Sequence, residues 1–219
     1  MKRLTHLAAG LVLASSGLLA TTASAEVSYN IGWASEYYYR GIMQKNSAAS
    51  AGIDWEDGGF YAGSWAVDVG DGTEIDGYFG YNWELASGFT VGVGFTGYYY
   101  TGEFDDTYEE ANLNLGWGMF SLEYSVGEWD GFGPDQDYEF LALTVEGGNG
   151  LYGTIASFSD DFDGEYLELG WSTTISDFDI GIAGIFSSDE LSDEFNSSGR
   201  PTESEAIIFT IGKTFDLDF

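Results

Sequence analysis

Apolar and polar residues alternate with a period of two along most of this chain, the pattern that predicts β-strands with two different faces. The last segment shows it best: one face is small and polar, and the other carries Ile207, Phe209, Ile211, Lys213, Phe215, Leu217 and Phe219. Six further segments repeat the alternation, at 27–40, 75–85, 89–96, 113–117, 120–126 and 178–186. Less regular segments lie between them, and together they predict about twelve strands.

The links between the predicted strands differ in length. Those after even-numbered strands are short, at 57–59, 86–88, 116–118, 147–150 and 176–177. Those after odd-numbered strands are mostly longer and acidic, at 41–48, 101–106, 128–137, 159–164 and 187–204, with 70–73 as a short exception. This asymmetry is typical of outer-membrane barrels. We therefore expect an all-β fold, a transmembrane antiparallel up-and-down β-barrel, although alternation alone also fits a soluble β-sandwich.

Aromatic residues lie near both ends of the predicted strands. Those beside the short turns are Trp55, Trp83, Trp117 and Phe120. Those near the opposite ends are Tyr37, Tyr39, Tyr99 and Phe186. Such rings form girdles at the two interfaces of a membrane, so we expect both sets to face outward. The aromatic content of 17% also argues against disorder, which the acidic composition would otherwise suggest.

The first 25 residues have the three parts of a secretory signal peptide. Lys2 and Arg3 supply the positive start, residues 7–20 the apolar core, and Ala23-Ser24-Ala25 the small residues before a cleavage site. An apolar core of this length is too short for a transmembrane helix. We therefore expect cleavage before Glu26, export to the cell outer membrane, and one mature domain over residues 26–219.

The mature chain is strongly acidic and lacks the residues of many catalytic sites. Without Lys2, Arg3 and His6 it has 4 basic and 37 acidic residues, a net charge of 4 − 37 = −33, and neither His nor Cys. Histidine-assisted nucleophiles, thiolate or imidazole metal sites and disulfides are therefore excluded. Nucleic acid is an unsuitable partner because phosphate binding needs clustered Lys and Arg. We expect no enzyme, no cofactor and no metal site; residues 160–165 resemble part of a calcium loop but favour a solvated acidic loop.

The C-terminal strand carries a candidate assembly signal. Outer-membrane barrels commonly end in an alternating strand with a terminal aromatic residue that the insertion machinery recognises, and the matching residues here are Gly212, Phe215, Leu217 and Phe219. Lys213 is the misfit, because an outward lysine at the bilayer midplane costs about 2–4 kcal/mol. We expect its stem to carry the charge to the interface, or a bulge to turn it inward.

If the apolar faces contact lipid, the opposite faces line the lumen. The candidate pore-lining residues on these faces are Glu36, Arg40, Asp54, Glu56, Asp76, Glu84, Glu123, Glu168 and Asp179. A wider inward set adds Asp68, Glu110, Glu146, Asp216 and Asp218. Carboxylate rings in a pore favour cations. Arg40 opposes them, either as a constriction charge beside Glu36 or as an ion pair that holds the following loop.

Residues 35–44, Ser-Glu-Tyr-Tyr-Tyr-Arg-Gly-Ile-Met-Gln, resemble the opening strand and loop of the TorF family of proposed porins. They match the family's S-[DE]-Y-x-x-R-G-I-x-Q pattern throughout. Residues 59–66 and 74–81 resemble the same family, and the similarity is strongest over residues 27–100. The resemblance implies an outer-membrane barrel with a porin role and brings no catalytic residues. Nothing in these residues supports the trimethylamine oxide solute that the family's name suggests.

These features predict a porin-like channel for passive diffusion of small solutes, with a preference for cations. A non-conducting structural or surface-interaction barrel stays open as the alternative, because side chains often fill narrow barrels. An outer-membrane enzyme is least favoured, since such enzymes use a histidine base. The expected partners are outer-membrane lipid, lipopolysaccharide, the barrel-assembly machinery, and small solutes or cations. The sequence leaves the oligomeric state and the identity of the solute open.

Overall fold

A computed structural model describes residues 25–192 and 203–217, apart from the side chain of Ala86. The strands are β1 (Glu26–Tyr39), β2 (Ile42–Asp57), β3 (Phe60–Gly70), β4 (Gly72–Glu84), β5 (Phe89–Thr101), β6 (Tyr108–Trp117), β7 (Phe120–Trp129), β8 (Gln136–Glu146), β9 (Leu151–Asp160), β10 (Glu165–Ile175), β11 (Phe178–Ser187) and β12 (Glu205–Leu217). Each strand pairs with its neighbours in sequence, and β1 pairs with β12, so the sheet closes. The predicted twelve-stranded antiparallel barrel is confirmed.

Two single turns of 3₁₀-helix, Ala86–Gly88 and Asp189–Leu191, accompany the strands. Among the described residues, no helix is long and apolar enough to cross a membrane. The predicted signal peptide lies outside the described residues except for Ala25.

The two faces of the wall differ as the alternation predicts. Large apolar side chains cover the outside; Phe79, Trp117 and Ile207 are each about 60% exposed, at 60%, 61% and 63%. In water such a surface would be unfavourable by roughly 25 cal/mol for each Å². A lipid bilayer removes that penalty, and the outer face therefore marks a transmembrane barrel.

The five short turns lie together at one end of the barrel, here called the turn end. They occupy residues 58–59, 85–88, 118–119, 147–150 and 176–177. The other end, the loop end, carries longer links at 102–107, 130–135, 161–164 and 188–204, and a single linking residue, Asp71. The predicted asymmetry is present, but the predicted loop at 41–48 is wrong. Strand β2 already begins at Ile42, because Arg40 and Gly41, with φ of 45° and 89°, form a two-residue hairpin turn.

The β1–β2 hairpin leaves the wall at the loop end and enters the lumen. Strand β1 pairs with β12 only from Val27 to Ala34, and its pairing with β2 shifts register between Tyr37 and Tyr38. We call residues 37–43 the tip. The prediction that Tyr37 and Tyr39 face the membrane is wrong, since they are 2% and 8% exposed. Both rings instead pack inside the barrel in a cluster with Val67, Val69 and Tyr98.

The remaining girdle residues lie on the outside. Trp55, Trp83, Trp117 and Phe120 are exposed beside the turn end, and Tyr99 and Phe186 are exposed toward the loop end. Lys213 does not turn inward. Its ammonium lies 5.2 Å from the rings of Phe178 and Phe215 and 3.9 Å from Asp177, which belongs to a turn at the turn end. The lysine thus carries its charge toward the interface along its stem.

Candidate functional site

The lumen stays open toward the turn end because its tyrosines lie against glycines of the wall. A Cβ added to Gly63 would lie 2.5 Å from the ring of Tyr78, and one added to Gly170 would lie 2.2 Å from the ring of Tyr152. Only a residue without a side chain allows such close approach. The rings therefore cover the wall instead of filling the centre of the barrel.

Hydroxyl groups hold the carboxylates of this half in place. The Tyr78 hydroxyl donates to Asp54, which also accepts a 3.4 Å hydrogen bond from the side chain of Asn30. The Tyr152 hydroxyl donates to Glu168 at 2.5 Å. Asp179 accepts from the Thr174 hydroxyl at 2.6 Å. Neutral donors fix the orientation of these acids without cancelling their charge.

Arg40 reaches from the tip across the lumen to strands β6 and β7. Its Nη1 and Nη2 atoms donate to the two oxygens of Glu110 at 2.7 and 2.9 Å, a bidentate pair. Its Nη2 atom also donates to Glu123 at 2.6 Å and to the Ser125 hydroxyl at 3.3 Å. The guanidinium carbon lies 4.0 Å from the ring centroid of Phe140 on β8. We call these five residues the Arg40 cluster.

Glu110 has no free hydrogen-bonding capacity in this cluster. Besides Arg40, it accepts bonds of 2.8 Å from the hydroxyls of Tyr98 and Tyr138 and from the side-chain amide of Asn112. The residue is 1% exposed. A buried carboxylate is tolerated when charged and neutral donors satisfy it in this way.

The tip separates the lumen into two parts. On the loop side, aromatic rings of the walls and the tip pack against one another, and Tyr39 and Tyr98 meet edge-on at 5.3 Å. On the turn side lies a cavity of about 150 Å³ that runs from Arg40 past Glu123 and Tyr152 to Glu146. The cavity has room for water and small ions, below the size of sites for drug-like ligands.

Two acids of β4 lie beneath the tip. Glu74 and Asp76 are both 0% exposed, and Glu74 accepts a 2.5 Å hydrogen bond from the Tyr37 hydroxyl. Neither carboxylate oxygen of Asp76 has a hydrogen-bond partner among the described residues. Register places Asp76 between Trp65 on β3 and Tyr98 on β5, two aromatic neighbours. An unpaired buried carboxylate of this kind is energetically unfavourable.

The structure distributes the candidate pore-lining residues over several levels of the barrel. Arg40, Glu123 and Glu168 line the cavity, and Asp54 and Asp179 lie on inner faces toward the turn end. Glu56 and Glu84 share those inner faces near the turn-end rim. Glu36 does not lie beside Arg40; it lines a separate cleft of about 500 Å³ between the hairpin and β12.

Three further expectations need correction or fall outside the described residues. Asp68 faces outward, where it pairs with Lys45, because Val67 and Val69 occupy the inner face. Asp218 and Phe219 lie outside the described residues. Glu74 was missed, although its position two residues before Asp76 places both acids on one face of β4.

Acidic residues also surround the loop end. Asp105, in the link between β5 and β6, accepts hydrogen bonds from the Tyr108 hydroxyl at 2.9 Å and from the Trp129 indole at 3.0 Å. Burial raises the pKa of Asp105 above its usual value, and its hydrogen bonds oppose that shift. In the described part of the chain, no group of three or more His, Cys, Asp or Glu could hold a metal ion.

Comparison with other proteins identifies a family and several solved structures of similar fold. The sequence model of one family, described as a bacterial protein of unknown function (Gcw_chp), matches residues 19–215. No curated protein matches the chain.

Three solved structures are similar in fold. Pseudomonas aeruginosa OccK2 (OpdF) in complex with glucuronate is 13% identical over 80% of this chain and 60% of its own, with a TM-score of 0.43. Pseudomonas aeruginosa OprD is 13% identical over 89% and 67%, with a TM-score of 0.42. The outer membrane protein opdK from Pseudomonas aeruginosa is 11% identical over 79% and 58%, with a TM-score of 0.39. The chain thus spans about three fifths of the length of the first structure.

Proposed function

The chain belongs to the Gcw_chp family of bacterial proteins of unknown function, and we propose that it is a porin-like channel of the outer membrane. It lets small solutes diffuse passively and prefers cations. The proposal rests on the turn half of the lumen, where tyrosine rings lie against glycines of the wall and leave a polar cavity. A barrel that serves only as a membrane anchor has no need of such a cavity.

The cation preference rests on the charges inside the barrel. Inner faces of the described strands carry the acids Asp54, Glu56, Glu74, Asp76, Glu84, Glu110, Glu123, Glu146, Glu168, Asp179 and Asp216. Of the three basic residues in the described ranges, Arg40 alone lies in the lumen, since Lys45 and Lys213 pair with Asp68 and Asp177 outside it. Such an excess of carboxylates attracts cations and repels anions.

The surroundings of the barrel follow from the same proposal. The exposed apolar wall contacts lipid, the turn end faces the periplasm, and the acidic loop end faces the lipopolysaccharide surface outside. The resemblance of residues 35–44 to the TorF family of proposed porins supports the same role. Residues Gly212, Phe215, Leu217 and Phe219 serve the barrel-assembly machinery as a recognition signal.

One observation favours a second candidate, a non-conducting structural or surface-interaction barrel. The tip fills the lumen on the loop side, where Tyr38 packs on Ile185 and Ile208 while Tyr37 and Tyr39 pack on the opposite wall. In this conformation the polar cavity does not run through the barrel. The two candidates differ in whether the tip ever leaves its position.

Conductance decides between them. Purified barrel is added to a planar lipid bilayer that separates concentrated from dilute potassium chloride. We expect discrete current steps and a reversal potential of the sign that potassium permeation gives; boiled, unfolded protein serves as the control. Complete absence of steps from the folded barrel would contradict the channel and leave the non-conducting barrel.

A further inference from the structure

We propose that the tip, residues 37–43, is a movable gate in the lumen and that Arg40 is its latch. The inference rests on the proposed channel function and adds a closed and an open state to it. In the described state the tip lies across the barrel and the channel is closed. Swinging the tip toward the loop end joins the polar cavity to the outside.

The hairpin is built to bend where the tip begins. Strand β1 has no pairing with β12 beyond Ala34, so beyond that residue its backbone pairs with β2 alone. Register between β1 and β2 shifts between Tyr37 and Tyr38, and Ser47 on β2 has a φ of 61°. Irregular pairing of this kind bends a strand locally and breaks the continuity of the ladder. Both strands of the hairpin are thus interrupted near the same level.

Side chains, not a backbone ladder, fasten the tip to the opposite wall. Arg40 makes the bidentate contact with Glu110 and the further contact with Glu123. The backbone of the tip also accepts a hydrogen bond from β11, from the Ser187 hydroxyl to the Gly41 carbonyl at 2.6 Å. Because these contacts are few, strong and local, they can break together. The tip can then change between two discrete positions.

Two buried acids, Glu74 and Asp76, destabilise the closed state. Closure holds Tyr37 over the β4 acids, and Asp76 has no hydrogen-bond donor there among the described residues. Opening the tip would admit water to Glu74 and Asp76 and remove the penalty of burying them. The Arg40 cluster and the aromatic packing stabilise closure, while these acids destabilise it. Because these contributions oppose each other, the free-energy difference between the closed and open states is small.

An open lumen would be more acidic than the closed one. Release of Arg40 leaves Glu110 and Glu123 without their cation, and departure of Tyr37 uncovers Glu74 and Asp76. The path through the barrel then passes four carboxylates at the level where the tip was. The same motion therefore opens the channel and strengthens its preference for cations.

A disulfide can hold the gate shut in this cysteine-free chain. A Cβ on Gly41 would lie 3.0 Å from the Cβ of Tyr166 on β10, slightly closer than the usual separation of about 3.5–4.5 Å. Replacing the Tyr166 ring removes its 2.8 Å contact with that Cβ, and the two Cβ atoms must move apart by about 0.5 Å for the disulfide to form. The test variant is Gly41→Cys with Tyr166→Cys, and the matched control is Leu143→Cys with Ile155→Cys, register partners on the lipid-facing side of β8 and β9.

Bilayer currents of the oxidised and reduced variants decide the question, with gel mobility confirming that each barrel is folded and each disulfide formed. We expect current through the test variant to vanish on oxidation and return on reduction, while the control conducts equally in both forms. Equal current through the oxidised and reduced test variant overturns the gate and leaves the channel function standing. If neither the wild type nor any reduced variant conducts, the channel function is overturned, and the gate with it.

A second variant tests the latch without a disulfide. Arg40→Asn removes the guanidinium but keeps a residue that suits the left-handed backbone at this turn, since Asn-Gly is the preferred pair for it. The channel should spend a larger fraction of time open, on the order of tenfold more. Lys213→Gln, which removes a cation from the outer face of β12 near the turn end, should leave the open fraction unchanged. An Arg40→Asn channel with wild-type open times would overturn the role of Arg40 as the latch.

Discussion

At the scale of single residues, the width of the lumen depends on glycines of the wall as well as on the tyrosines packed against them. Tyr152 lies so close to Gly170 that the strand β10 tolerates no Cβ there without a shift of the ring. The same ring orients Glu168 through its hydroxyl. One glycine therefore controls both the free width of the lumen and the position of a carboxylate.

Replacing Gly170 with alanine tests this dependence. The new methyl group would meet the Tyr152 ring at 2.2 Å and force it away from the wall, toward the centre. We expect a folded barrel that is destabilised by about 1–3 kcal/mol and has a lower single-channel conductance. Urea unfolding and bilayer recordings measure the two effects. Gly77→Ala on β4 is the matched control, since no atom lies within 4 Å of the added Cβ; equal conductance of the two variants would contradict the argument.

The prominence of Arg40 could be read from the sequence, but its partners could not. It is one of four basic residues over residues 26–219, against 37 acids, which marks it as unusual. Sequence proximity suggested Glu36 as its partner. The observed partners, Glu110 and Glu123, are 70 and 83 residues away, because the tip carries Arg40 across the barrel. Alternation fixes which face a strand residue takes, but it carries no information on contacts across the lumen.

At the scale of strands, β12 combines barrel closure with the proposed assembly signal. Deleting Phe219 should lower the yield of inserted barrel and leave most of the protein in periplasmic aggregates or degraded. Phe132→Ser is the matched control, because this ring lies in the link between β7 and β8 and is 73% exposed. Phe162 is less suitable, since it stacks on Tyr138 at 5.1 Å. Heat-treated and untreated membrane fractions, compared on a gel, measure insertion; equal yields of the two variants would remove the support for the signal.

The regular strands were predictable and the hairpin was not, for a physical reason. In β11, the exposed residues Phe178, Ile182 and Phe186 alternate with buried residues on the inner face, and a single pattern fixes both register and face. Residues 37–39 are three tyrosines in a row, and both faces of this segment are buried against walls of the lumen. A ring suited to a membrane girdle is equally suited to an aromatic cluster. Only the tertiary arrangement separates the two environments.

At the scale of the whole molecule, closure of the sheet predicts resistance to detergent. All twelve strands have partners on both sides, so no free edge is available along most of the barrel. We expect unheated protein in sodium dodecyl sulfate to migrate differently from boiled protein. A chain that is recovered in soluble periplasmic extracts and shows no such shift would contradict the transmembrane barrel.

The charge of the whole lumen leads to the last prediction, a cation preference that depends on salt. Fixed carboxylates act over a Debye length of about 10 Å at 0.1 M salt and about 3 Å at 1 M. Low-dielectric walls concentrate their field inside the pore. Selectivity for potassium over chloride, measured as the reversal potential in a salt gradient, should therefore be clear in dilute salt and fade toward molar salt.

Two variants show which acids are responsible for that preference. Asp54→Asn removes a charge from the inner face of β2, and we expect it to reduce the reversal potential in dilute salt. Glu109→Gln removes a charge from the exposed outer face of β6 and should leave the reversal potential unchanged. Position explains the difference, since the barrel wall separates the outer carboxylate from the pore. A reversal potential near zero in dilute salt, or one of the sign that chloride permeation gives, would show that the lumen acids do not govern the ion path.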